Sequence, residues 1–260
     1  MRLKSLLQKL PLFSDKGDSV ERTIKEKQRA QRKKEKIVIP NLRLSYAEAT
    51  SQLLGKYDRA TAMSLAVGGD YEFMGDALRV RLERFGLKEG DYLIDVGCGS
   101  GRLAYALSLS KYRDTIRYLG IDIVPAMLEF AVEKCQCPSW RFELVTDLRI
   151  PEADECADMV CFFSVFTHLM QEESFIYLRE AQRVLKPGGK IVISYFDMAD
   201  PKHWEIFESN VNSVRGRQSK PMDIFLSEDF LNVWAQKLNL EILNGRAPDC
   251  GQRTCILQKL

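Results

Sequence analysis

A chain of 260 residues, 45% hydrophobic and 28% charged, holds enough material for one α/β domain with additions, and can bury a core without disulfides or a structural metal. No apolar run approaches the roughly 18 residues of a membrane span, and charged residues interrupt the leucines near the start, which does not read as a secretory-type segment. With seven cysteines, these features point to a reducing, cytoplasmic location. The net charge of +2 is unevenly spread, since residues 1–36 hold twelve Lys and Arg against five Asp and Glu, and the rest holds 26 against 31.

Residues 1–40 read as a basic arm, either amphipathic or disordered. Leu3, Leu6, Leu7 and Leu10 fall on one helical face among Arg2, Lys4 and Lys9, a pattern suited to peripheral contact with an anionic membrane or a protein partner. Residues 41–88 read as a helical cap or lid, with Tyr46, Leu53, Leu54, Tyr57, Met63 and Leu65 before a break at Gly68-Gly69. From residue 89 onward strands and helices alternate. Apolar strands are expected over 92–96, 118–123, 141–145, 159–165 and 190–196, and helices over 102–109, 125–135 and 172–185. Near-continuous apolar strands in such alternation imply a parallel sheet covered on both faces. Pro187-Gly188-Gly189 suggests a tight turn before the fifth strand. Residues 197–226 read as an irregular insertion over the carboxyl edge of the sheet, followed by a helix capped by Ser227 and strands over 240–243 and 253–258. The cysteines read as structural, because Cys135 and Cys137 lack a second pair or a nearby His to complete a zinc site.

The strongest local signal is Asp95-Val96-Gly97-Cys98-Gly99-Ser100-Gly101, where an apolar strand enters a turn of alternate glycines and then a helix. Glycine suits a backbone that must turn sharply and approach a ligand without a Cβ in the way. The spacing is G-x-G-x-G, not the G-x-G-x-x-G of dinucleotide sites. Asp122 ends the next strand, where a carboxylate can accept from both hydroxyls of a ribose. Asp147 ends the one after, within reach of an exocyclic amine. Asp122 could instead cap the helix that follows, and Asp147 could belong to an ordinary loop start.

On these motifs, residues 89–260 resemble a class I S-adenosylmethionine-dependent methyltransferase. The turn 95–101 corresponds to the family's first motif, Asp122 to its ribose-binding acid and Asp147 to its adenine-side acid. Residues 179–189 resemble the helix and turn before the fifth strand. The resemblance implies a three-layer Rossmann-like α/β fold with a mostly parallel seven-stranded sheet and an antiparallel last strand. It implies S-adenosylmethionine as cofactor, held by Asp95, Gly97, Cys98, Gly99, Gly101, Asp122, Ile123, Met127, Asp147 and Leu148, with Phe163 and Ser164 lining the methyl region.

The acceptor is less legible. A weakly acidic alcohol needs a base, and His168, in Ser164-Val165-Phe166-Thr167-His168-Leu169, is the first candidate, with His203, Asp197 and Tyr195 behind it. Helix capping or packing would explain either histidine equally well. No Asn/Asp-Pro-Pro-aromatic or Pro-Cys motif follows the fourth strand, and the acidic main domain argues against a nucleic-acid backbone. No acid follows that strand to complete a catechol-type metal cluster, so metal dependence is not indicated. Residues 164–169, with 67–71, are similar to methyltransferases of polysaccharide and natural-product pathways, which implies a small-molecule acceptor such as a sugar hydroxyl. RNA or protein methylation, a nicotinamide-dependent oxidoreductase and a non-catalytic cofactor-binding adaptor are the alternatives.

Overall fold

The computed structural model describes residues 42–216, 223–243 and 251–260. The arm read over residues 1–40 lies outside the described residues. Three helices come first, α1 (Leu42–Leu54), α2 (Arg59–Ala66) and α3 (Tyr71–Arg84). Asp58 caps α2 by accepting from the Thr61 N–H at 3.1 Å. The break at Gly68-Gly69 is present, with φ of 93° and 82°, and Asp70 follows at 44°. Three successive left-handed residues reverse the chain between α2 and α3, at a strain that only glycine avoids. Buried Tyr71, Gly75, Leu78 and Leu82 form the stripe by which α3 packs. A Cβ on Gly75 would collide with the Arg102 carbonyl, so α3 lies backbone to backbone against the start of the helix after the glycine turn.

The sheet is built from β1 (Tyr92–Val96), β2 (Arg117–Asp122), β3 (Arg141–Leu144), β4 (Ala157–Phe162), β5 (Leu185–Asp197), β6 (Phe225–Leu226), β7 (Leu240–Leu243) and β8 (Arg253–Lys259). Its order is β3-β2-β1-β4-β5-β8-β7, with the two-residue β6 beside the end of β5. Strands β1 to β5 pair in parallel, and β8 runs antiparallel to both β5 and β7. The fold class expected from the sequence is therefore the one observed. Helices α4 (Arg102–Ser108), α5 (Pro125–Cys135) and α6 (Gln171–Val184) are the crossovers. Right-handed connection puts α4 and α5 on one face and α6 on the other, because the order reverses between β1 and β4. The core on the first face joins Leu78 and Leu82 of α3 and Leu103 and Leu107 of α4 to sheet residues such as Leu93 and Met159.

Two expectations change. The Pro187-Gly188-Gly189 turn is absorbed into β5 as an irregularity: β4 and β5 are in register at Ala157–Leu185, then at Met159–Lys190. Pro187 has no N–H to give a ladder, and Gly188 takes φ 77°, so the extra residues leave the plane without ending the strand. The insertion is also more regular than expected. Asp200 accepts from the Lys202 N–H and opens a 3₁₀ turn, Pro201–His203, which runs into helix α7 (Trp204–Arg215). Asp-Pro is a helix start signal, and Trp204, Phe207, Val211 and Val214 recur at helical spacing, although α7 buries none of its residues. Ser227 caps α8 (Glu228–Lys237) as expected, by accepting from the Phe230 N–H. The six described cysteines are all unbridged, and five are buried. No helix among the described residues is long and apolar enough to cross a membrane.

Replacing Gly75 by Ala should destabilise the fold by about 1–3 kcal/mol, the usual cost of forcing a methyl into a packed contact. Chemical denaturation measures it, and an unchanged midpoint would show that α3 can shift away from α4 at no cost.

Candidate active site

The carboxyl ends of β3, β2, β1 and β4 lie side by side, so the residues singled out after each strand meet along one edge. At its centre is Asp122, 8% exposed. One carboxylate oxygen accepts from the Gly99 N–H at 2.8 Å and the other from the Val124 N–H at 2.9 Å. Val124, not Asp122, occupies the cap position of α5, so the acid's principal tie is to the glycine turn. Burial pushes its carboxyl upward, while the Val124 and Gly99 amides pull it back.

The turn itself is closely packed. Gly97, Gly99 and Gly101 have φ of 70°, 57° and 82°. A Cβ on each would meet protein: Val165 at 2.5 Å, Val67 at 2.8 Å and Ala131 at 2.5 Å respectively. The glycines are thus required by backbone conformation, as the sharp turn led one to expect, and also by neighbouring elements. Several N–H groups of the turn are also occupied. Gly97 and Cys98 donate to the Ile121 carbonyl, Gly101 donates to Cys98, and Gly99 is held by Asp122. A turn with its amides spent and a carboxylate against it suits a neutral hydroxyl pair far better than a phosphate, which needs free N–H groups and positive potential.

The helical segments before the sheet close over this turn. Ser100 Oγ donates to the Met63 carbonyl at 2.9 Å, the Tyr71 hydroxyl donates to the Ser100 carbonyl at 2.6 Å, and Arg102 donates to the Val67 carbonyl at 2.6 Å.

Asp95 differs from its expected place. Its carboxylate turns into the core, where it accepts from the Tyr118 hydroxyl at 2.8 Å and faces the Cys161 thiol at 3.5 Å. Burial lifts its pKa to about 6, against the lowering effect of those two partners. Cys98 is buried too, and burial drives its thiol far upward, so it acts as packing. Met127 and Leu148 are buried, Ile123 is half-buried and Asp147 is exposed. The Asp147 carbonyl accepts from the Tyr177 hydroxyl at 3.4 Å, and Tyr177 is electrostatically coupled to both Asp122 and Asp147.

After β4 the chain is strained. Phe163 is buried, and Ser164 adopts φ 59°, a left-handed conformation costly for a residue with a side chain. A network from three strands holds it. The Ser164 N–H donates to Ser194 Oγ, Ser194 donates to Gln252, and the Gln252 amide donates to Ser164 Oγ, at 2.8, 2.6 and 3.0 Å. His168 donates its backbone N–H to Val165, whose side chain abuts Gly97, so the imidazole is tied to the same edge. The ring packs edge-on to Tyr46 of α1 at 5.3 Å between centroids. Burial lowers its pKa to about 4, leaving it neutral at neutral pH.

The other base candidates are committed elsewhere. His203 Nδ1 accepts from the Asp197 N–H at 2.9 Å and Nε2 faces the Gly251 carbonyl at 3.1 Å, so both ring nitrogens bolt the segment after β5 to the approach to β8. The Asp197 carboxylate pairs with Arg253 at 2.7 Å, and Tyr195 is buried within β5. Sequence reasoning missed Asp223 as a neighbour of His168. Tyr46 belongs to the aromatic-rich segment 46–73 expected to form the lid and acceptor pocket, whereas Asp223 lies in a stretch with no motif.

Residues 94–193 match the family described as a methyltransferase domain. Over 129 residues, 48% of the chain, there is 32% identity to demethylmenaquinone methyltransferase of Tropheryma whipplei strain Twist, covering 50% of that protein. Malonyl-[acyl-carrier protein] O-methyltransferase of Hahella chejuensis is 28% identical over 144 residues, which is 55% of this chain and 49% of that protein. The chain thus spans about half the length of these curated relatives. Among solved structures, magnesium protoporphyrin IX methyltransferase from Synechocystis PCC 6803 with bound SAH superposes with a TM-score of 0.58 at 16% identity, over 82% of this chain and 94% of that one. The fold is that of class I methyltransferases. Residues 94–193 are therefore similar to a methyltransferase domain, and the glycine turn, Asp122 and the strained Ser164 all lie inside the matched span.

Asp95→Asn isolates the buried carboxyl. Its folded pKa lies above its unfolded one, so its contribution is fully present below about pH 4 and is lost as pH rises through about 6. Between pH 4 and pH 7 the variant should gain on the order of 2–3 kcal/mol relative to wild type, from a shift of about two pH units. Urea unfolding at the two pH values measures this, and a difference that does not change with pH would mean that Asp95 titrates as an ordinary carboxyl.

Proposed function

We propose that this chain transfers the methyl group of S-adenosylmethionine to an oxygen of a small hydroxylated molecule, with a sugar hydroxyl as the acceptor the sequence favours. The observation that carries the proposal is the Asp122 clasp on the glycine turn. A buried carboxylate at the end of β2 keeps lone pairs for a ribose diol, and the spent amides beside it favour a nucleoside without phosphates over a dinucleotide. When bound, the cofactor supplies a methyl already activated by its sulfonium.

Asp122 would hold the ribose, with Ile123, Met127, Leu148 and the Asp147 end of β3 around the adenine. Gly97, Gly99 and Gly101 would let the backbone pass close to the methionine tail. Phe163 and Ser164 would line the side from which the acceptor enters. Asp95 and Cys98 brace this surface from within, not by direct contact. His168 would take the acceptor proton, because its imidazole is neutral and stands beyond Ser164 on the same edge. Holding the acceptor in line with the methyl is the largest contribution left to the protein. The names of the relatives include O-methylation of a malonyl carrier protein and methylation of a demethylmenaquinone, so the kinship supports methyl transfer without selecting an acceptor. The basic arm, residues 1–36, would provide any peripheral contact with an anionic membrane or a partner protein in the cytoplasm.

Calorimetry with S-adenosylhomocysteine tests the cofactor half. Asp122→Ala should weaken binding by about ten- to a hundredfold, since each hydrogen bond to a charged group contributes about 1.5–3 kcal/mol. Tight NAD(P) binding with no response to S-adenosylhomocysteine would refute the reading. For the acceptor half, His168→Ala should lower turnover by about 10²-fold or more while leaving S-adenosylhomocysteine affinity within about twofold. Equal turnover would return His168 to a packing role.

A further inference from the structure

His168 Nδ1 is buried, makes no hydrogen bond, and lies 3.9 Å from Asp223 Oδ1. Asp223 is held at that place through its backbone. The Asn210 side chain, on α7, donates to the Asp223 carbonyl at 2.8 Å and accepts from its N–H at 3.4 Å. The next residue, Ile224, donates to the Thr167 carbonyl at 2.7 Å, one position before His168. Two clamps from separate elements therefore bring a carboxylate to the imidazole. Tyr46 packs edge-on to the ring from α1, and burial together with the charges of Asp223 and Asp122 raises its hydroxyl. Asp223 and Tyr46 are the titratable side chains that face the ring. Burial raises the Asp223 carboxyl, as it lowers the imidazole.

We propose that Asp223 is the positioning carboxylate of His168, fixing the ring proton on Nδ1 so that Nε2 presents its lone pair to a bound hydroxyl. The proposal rests on the reading of His168 as the base. A lone pair on Nδ1 would be repelled by the carboxylate oxygen it faces, whereas an N–H is attracted, so the tautomer follows from the geometry. Separations just beyond hydrogen-bond length are ordinary for catalytic pairs without ligands, and they shorten when the site fills. In the reaction the acceptor oxygen bonds the methyl carbon, the electron pair of the broken C–S bond stays with sulfur, and the hydroxyl proton passes to Nε2. The resulting imidazolium then faces Asp223, which offsets its charge in a buried setting. Asn210 serves the same end at one remove, by setting the Asp223 backbone.

Nitrogen-15 spectra of histidine-labelled, ligand-free protein test this directly. The chain has two histidines, and His203, whose Nδ1 faces the Asp197 backbone and whose Nε2 faces the Gly251 carbonyl, supplies a second set of resonances for comparison. Wild-type His168 should carry its proton on Nδ1. In Asp223→Asn the ring should shift toward the Nε2–H form preferred by free imidazole, and its protonation should fall by roughly one pH unit, the usual effect of losing a nearby opposite charge. If that variant does not fold, Asn210→Ala should produce a smaller change in the same direction. A wild-type ring protonated on Nε2, or a tautomer and titration unmoved in both variants, overturns the pairing. Neither cofactor nor acceptor enters this measurement, so its failure leaves methyl transfer standing, and a failure of S-adenosylhomocysteine to bind leaves the pairing standing. With turnover, Asp223→Asn should lower kcat about tenfold with acceptor KM within about twofold.

Discussion

The edge of this sheet depends on one buried carboxylate. Asp122 joins the end of β2 to the glycine turn and to the start of α5 through two amide donors, each at hydrogen-bond length. An ionised acceptor in such a place is costly to bury unless its lone pairs are satisfied. The glycine turn supplies one partner because its own curvature points the Gly99 N–H at the strand next door. The acid and the turn therefore define each other, and each loses its geometry without the other.

The segments before the sheet are part of the same arrangement. Val67 sits against Gly99, and three hydrogen bonds fasten residues 63–71 to Ser100 and Arg102. A cofactor entering here would meet α1 and the α2–α3 reversal as one wall and the strand ends as the other. Tyr46 packs edge-on to His168, and its hydroxyl feels the charge of Asp122. The first helix thus meets the loop after β4.

Strain and polarity are concentrated on the far side of β1. Ser164 is held left-handed by Ser194 and Gln252, and the loop it begins carries Val165 to Gly97 and His168 to Tyr46. Rigidity at Ser164 fixes the loop that carries His168, whose imidazole burial keeps neutral. The insertion after β5 completes the group, since α7 sets Asp223 through Asn210 while His203 and the Arg253–Asp197 pair anchor its root. A segment that carries no catalytic motif becomes part of the site through where it lands.

The sequence alone determined the alternation of strands and helices, the glycine turn and the acids that end β2 and β3. All of these are local: a short continuous apolar run, a turn of alternate glycines, or a carboxylate placed where a strand stops. It also announced the cap at Ser227, and it carried the helical spacing of Trp204, Phe207, Val211 and Val214 in α7, although the Pro and Gly residues of 197–226 suggested an irregular insertion. Tertiary structure decided which histidine stands at the edge, that Asp95 faces inward, and that Tyr46, His168 and Asp223 meet. Residues 46, 168 and 223 are separated by most of the chain. They come together because the strand order reverses between β1 and β4, and α1, the β4 loop and the segment before β6 meet at one edge that no sequence period encodes.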